Sequence, residues 1–102
     1  MAEPAAEPAD VTAAAARWGP ELDRVALLSE REKQVFSLLG AGYSNRGIAS
    51  RLRVTERTVK AHVAGILAKL DVESRLQVGL VAQVYQLMYQ GTVSHSDALP
   101  EN

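Results

Sequence analysis

The chain has 102 residues, 47% of them apolar and 23% charged, with a formal net charge of −1 and no cysteine. That length supports one domain of modest core rather than two, and the lack of cysteine excludes disulfides and thiolate metal sites and fits a reducing compartment. No apolar run approaches membrane-spanning length, and the opening MAEPAAEPAD lacks the basic start and apolar stretch of a signal peptide, so the expected location is cytoplasmic, with no membrane partner.

The charge is unevenly spread. Residues 1–25 hold Arg17 and Arg24 against five acidic residues, and residues 91–102 hold only Asp97 and Glu101, whereas residues 26–90 carry nine basic residues against five acidic ones. A basic body between acidic ends suits an anionic partner, although a mixed solvated surface would show the same balance.

In chain order, residues 1–20 read as a disordered, acidic, Ala/Pro-rich leader that can bury little. Within it, VTAAAARW offers at most a frayed helical turn before Gly19-Pro20 stops it. Leu22, Val25, Leu27 and Leu28 then lead in and can dock on a core. Ser29 followed three residues later by Glu32 is a capping box, in which each side chain satisfies the other's free backbone N–H. It opens a helix whose apolar face is Val35, Phe36, Leu38 and Leu39, and which Gly40 and Gly42 end. Ser44 caps a short second helix, NRGIASRL, with Ile48, Ala49 and Leu52 inside and Arg46 and Arg51 outside. After the turn Arg53-Val54, Thr55 caps a third helix that runs to Leu70, with Glu56 in its first turn and Asp71 beyond its end. Ser74 with Gln77 opens a fourth, and the sequence from 91 to 102 is a polar tail. The expected fold is all-α: a compact four-helix domain over residues 21–90 between disordered tails. Its two middle helices, joined by a short turn, are a helix-turn-helix candidate.

The third helix carries the functional signal. Val59, Val63, Ile66 and Leu70 fall on one stripe at helical spacing, which is the core side. The opposite arc holds Lys60, Ala64, Arg57, Ala68, Ala61 and Gly65, with Thr58 at its edge. Small side chains let a helix backbone approach another surface, and two cations with two hydroxyls at the front end suit phosphates and base edges. Insertion into the major groove of B-DNA needs such a face, and so does packing of an Ala/Gly face on another helix. His62 lies on the shoulder of the core stripe, as a half-buried structural or phosphate-contacting residue. No cluster of acid, base or nucleophile points to an enzyme, and no metal or cofactor is expected.

The fourth helix is apolar over roughly 240° of its circumference, far more than the ~100° stripe of a surface helix. Either a second copy of the chain or the lead-in at residues 21–28 must cover the excess.

The pieces LSERE, GYSN, IASRL, TVKAHV, ILAKL and SR, in that order across residues 28–80, together resemble the LuxR-type (GerE-type) helix-turn-helix domain of bacterial transcription regulators. The resemblance implies a third helix that reads the major groove of double-stranded DNA and a fourth that supports homodimerisation, in solution or only on DNA, with RNA polymerase as a further expected contact. By position, Thr58, Lys60 and Ala61 become contact candidates, joined by Arg46, Arg57 and Ala64, with Val59 at the groove edge. Ser44, Asn45 and Thr55 become anchors to the DNA backbone, and Lys69 a phosphate contact. Leu76, Leu80, Gln83 and Leu87 become the dimer stripe, with Val78, Val81, Ala82 and Tyr85 toward the core, and Glu32 with Arg75 an ion pair between the first and fourth helices. Three positions depart from the family pattern: Gly47 replaces an acidic or amide residue, Ala64 stands where some members carry a polar contact, and Arg53 occupies the turn. Two rival readings keep the fold: a protein-interaction module without DNA binding, and a sigma-factor-like promoter-reading domain.

Overall fold

The structure, a computed structural model, describes residues 11–89. Among them are six α-helices and no strand: α1 (Val11–Arg17), α2 (Gly19–Arg24), α3 (Glu30–Gly40), α4 (Asn45–Leu52), α5 (Glu56–Leu70) and α6 (Arg75–Tyr89), with one 3₁₀ turn at Val25–Leu27 between α2 and α3. The all-α expectation holds, and α3 to α6 are the four helices that the sequence pattern marks out.

Their ends follow from their caps. Ser29 and Glu32 form the reciprocal capping box at α3, with N···O distances of 3.1 and 2.9 Å. Ser44 and Thr55 accept from the third backbone N–H of α4 and α5, each at 3.0 Å. At α6 the Gln77 N–H donates to Ser74 Oγ at 3.3 Å, and the Ser74 N–H to Gln77 Oε1 at 3.0 Å. Gly42 follows α3 with φ 93°, a left-handed conformation that a side chain would strain.

The leader departs from expectation. Residues 11–17 form a helix that packs on α6, and Gly19-Pro20 opens α2 instead of terminating structure. Two physical effects explain this. Alanine has the highest intrinsic helix propensity, and proline in the first turn gives up an N–H that has no helical partner in any case. Tertiary contact supplies the rest: Trp18 and Leu22 pack against the core, and the Arg24 guanidinium donates to the Leu70 carbonyl at 3.2 Å, capping the far end of α5. Residues 1–10 of the expected leader and the expected tail at 91–102 lie outside the described residues.

Helix α3 is the hub, packing against both α5 and α6, while α4 packs against α5. The core is aliphatic around Phe36: Val35, Leu39, Ile48, Val59, Ile66, Leu70, Val78 and Val81 are buried. Where α3 crosses α6 the two backbones come so close that a Cβ added at Gly40 would lie 2.6 Å from Ala82 Cβ.

Candidate nucleic-acid interface

Helices α4 and α5 are joined by a tight turn. Arg53 holds it with φ 60° and ψ 48°, the left-handed conformation that usually selects glycine, and the Val54 N–H closes it on the Ala49 carbonyl at 3.0 Å. Thr55 then starts α5. Its hydroxyl accepts the Thr58 N–H and donates to Thr58 Oγ1, each at 3.0 Å. The two hydroxyls at the front of α5 are thereby ordered, and the Thr58 hydroxyl keeps its own hydrogen for an outside acceptor.

The two sides of α5 separate as the periodicity predicts. Val59, Val63, Ile66 and Leu70 are buried, and Arg57, Lys60, Ala61, Ala64 and Ala68 are exposed. Arg57 and Lys60, like Arg46 on α4, have no ion-pair partner among the described residues. A cation that no neighbouring carboxylate neutralises keeps its full attraction for an external anion. The packing of α5 uses its other side, so Ala61, Ala64 and Ala68 of the small-residue face are not covered by a neighbouring helix. His62 is half-buried.

Several residues fall elsewhere than expected. Val59 has no exposed surface, so its side chain lies in the core and not at a groove edge. Gly65 is half-buried, not outward: a Cβ there would come within 2.6 Å of Glu32 Oε2, because the first turn of α3 rests on α5 at that point. Glu32 does not pair with Arg75. Its Oε1 accepts from Lys69 Nζ at 2.8 Å, which engages Lys69 with a carboxylate where a phosphate contact was expected. Burial pushes the Glu32 carboxyl up, but the bonds from Lys69 and Ser29 outweigh it and hold the group below its ordinary value.

Arg75 turns to α4 instead. Its Nη1 donates to Asn45 Oδ1 at 2.8 Å and its Nη2 to the Tyr43 carbonyl at 3.2 Å, while the Arg51 guanidinium lies 4.6 Å from the centre of the Tyr43 ring. Periodicity could not reveal this clasp, since Arg75 and Asn45 are 30 residues apart. Asn45 is half-buried, and Ser44 and Arg46 beside it are exposed.

On α6, Val78, Val81 and Ala82 are fully buried, Val84 nearly so, and Tyr85 meets Phe36 edge-on with ring centroids 5.8 Å apart. The leader helices cover part of the remaining circumference, as α1 and α2 both pack on α6. A stripe is still bare: Leu76, Leu80 and Leu87 are 69%, 45% and 53% exposed. Gln83 is in the same stripe, and its Nε2 donates to the Gly40 carbonyl at 2.6 Å, closing the last turn of α3. Among the described residues no helix is long and apolar enough to cross a membrane, and no group of three or more His, Cys, Asp or Glu could hold a metal ion.

The model of the family described as bacterial regulatory proteins, luxR family, matches residues 26–82, more than half of the chain. The chain belongs to the luxR family of bacterial regulatory proteins. Among curated proteins it is similar to an uncharacterized transcriptional regulatory protein, YhcZ, of Bacillus subtilis (strain 168), 44% identical over 68 residues, which cover 67% of this chain and 32% of that protein. It is likewise similar to the response regulator protein VraR of Staphylococcus aureus, 44% identical over 62 residues, 61% of this chain and 30% of that protein. The chain thus matches about a third of the length of these relatives. The luxR-family match runs from within the 3₁₀ turn to about the middle of α6, so α1 and α2, which dress the flank of α6, precede it.

Proposed function

We propose that this luxR-family domain binds double-stranded DNA as part of a transcription regulator, with α5 in the major groove. One observation carries the reading: the helix after the turn presents unpaired Arg57 and Lys60 over a surface otherwise of exposed alanine, while its packing uses the opposite face. Major-groove entry needs a close backbone approach, and recognition helices meet base edges with their N-terminal residues. In this reading Thr58, Lys60 and Ala61 contact bases or the groove wall. Ser44, Asn45, Arg46, Thr55 and Arg57 hold the sugar-phosphate backbone. Val59 supports the helix from the core side, and Lys69, tied to Glu32, adds electrostatic potential more than a contact. The stripe of Leu76, Leu80, Gln83 and Leu87 pairs with a second copy of the chain. One helix per partner buries little area, so DNA carrying two half-sites drives the pairing by holding both copies together. RNA polymerase is a further proposed partner of the bound dimer.

The test is selection of binding sites from random duplexes, followed by affinity at several salt concentrations for the selected and a scrambled site. Specific binding with a steep salt dependence is the expected result. A protein that enriches no site and binds neither duplex would leave the interaction-module reading in its place.

A further inference from the structure

Asn45 stands at the first position of α4, and its side chain can face an anion in two ways. The amide nitrogen donates and attracts a phosphate oxygen; the amide oxygen accepts and repels it. Rotation by half a turn exchanges the two at almost no steric cost, so an unrestrained Asn presents both. Here the choice is fixed from across the fold. Arg75 Nη1 lies 2.8 Å from Asn45 Oδ1, and a guanidinium has donors and no acceptor, so only the oxygen can face it. The Nδ2 end, which has no partner among the described residues, is left as the free end. The guanidinium is itself aligned by the second bond, from Nη2 to the Tyr43 carbonyl at 3.2 Å. A planar fork that makes two bonds to the same segment loses less freedom per bond than a flexible ammonium would.

We propose that Arg75 is a positioning residue for duplex binding: by holding Asn45 Oδ1 it presents the Asn45 amide nitrogen as the donor to a backbone phosphate. The inference rests on the reading of Asn45 as a DNA-backbone anchor. It gives Arg75 a role that neither its exposure nor its place on α6 suggests, since it acts through Asn45 and need not touch DNA. Because Arg75 opens α6 and directly precedes Leu76, the helix of the bare leucine stripe also holds the anchor of α4 in its binding orientation.

The test is a double-mutant cycle on affinity for the selected duplex, using Arg75→Met and Asn45→Ala, each checked for native helicity. Arg75→Met also removes a charge, but that long-range effect is common to both backgrounds and cancels in the cycle. The expected result is that Arg75→Met weakens binding roughly tenfold more in the wild-type background than in Asn45→Ala, the scale of one hydrogen bond to a charged group. Arg75→Lys keeps the charge without the fork, so it should lose less, and its loss too should vanish once Asn45 is alanine. Equal losses in both backgrounds, with the salt slope flattened by about one unit, would mean that Arg75 meets a phosphate itself, which overturns the positioning role and leaves DNA binding intact. An Asn45→Ala variant of unchanged affinity would overturn it as well. Failure of the wild-type protein to bind duplex DNA would overturn both the inference and the function on which it rests.

Discussion

Replacing Gly40 by alanine should destabilise the domain, against the ordinary direction of a Gly→Ala change. By unfolded-state entropy alone such a change stabilises by ~0.4–1 kcal/mol. The structure reverses the sign, because the new methyl would stand 2.6 Å from Ala82 Cβ, with the Ala82 backbone carbon at 3.5 Å behind it. Carbon atoms in contact prefer about 3.5–4.0 Å, so α3 and α6 must separate by about 1 Å. Neither atom is the end of a flexible side chain that could swing aside. Separation loosens Phe36 and Leu39 against Val78 and Val81, and strains the 2.6 Å bond from Gln83 to the Gly40 carbonyl. Overpacking of this kind costs about 1–3 kcal/mol, which in a domain of this size lowers Tm by roughly 5–20 °C. Thermal unfolding followed by circular dichroism measures it. Ala82→Gly should restore the space: in that background the further cost of Gly40→Ala should fall close to zero, although Ala82→Gly itself costs about 1 kcal/mol of helix propensity. Because α4 and α5 do not meet at this crossing, any loss of affinity for duplex DNA, measured well below Tm, should come only through the Arg75–Asn45 contact at the start of α6. A Gly40→Ala variant as stable as wild type or more so would refute the close approach of the two helices.

Three further outcomes are expected. Glu32→Gln keeps the capping box but not the charge opposite Lys69, so it should cost about 1 kcal/mol at neutral pH, discounted for the exposure of the lysine; because the Glu32 carboxyl is lowered from 4.5 in the folded state, the advantage of the wild type should be complete above that pH and disappear as pH falls below it, which denaturant titrations across pH 3–7 would show. Removing residues 1–20 strips α1 and the partly buried Trp18 from the body, and should lower stability by about 2 kcal/mol, with an unchanged melting temperature counting against the docking of the leader. Leu80→Glu, at a residue 45% exposed, should leave the monomer folded and single half-sites bound, and abolish cooperative binding to paired half-sites in a mobility shift; retained cooperativity would place the interface elsewhere.

Much of this molecule is legible in its sequence because its helices carry their own punctuation. Ser29 with Glu32, Ser44, Thr55, and Ser74 with Gln77 mark four starts, and the caps they form are local contacts three residues apart. The inner stripe of α5 is equally local, since helical periodicity fixes which residues share a side. What the sequence does not disclose is how the helices cross. Residue spacing puts Glu32 and Arg75 on their own helices, but the crossing decides that Glu32 meets Lys69 and Arg75 meets Asn45. The same limit hides the place of Gly65 beneath a carboxylate, since its spacing reads as outward until α3 is laid across it. For the leader the reason differs: an Ala-rich stretch next to Gly-Pro has no amphipathic signal of its own, and its helix is completed by contact with α6.

The central claim, that α5 enters the major groove, is tested most directly by chemical protection of guanine N7, an atom exposed only in that groove. On a selected duplex, wild-type protein should shield guanine N7 within each half-site from dimethyl sulfate, and Lys60→Ala, an outward-facing substitution that leaves the core untouched, should bind more weakly and lose that shielding. Tight, specific binding that leaves every guanine N7 reactive would contradict the account.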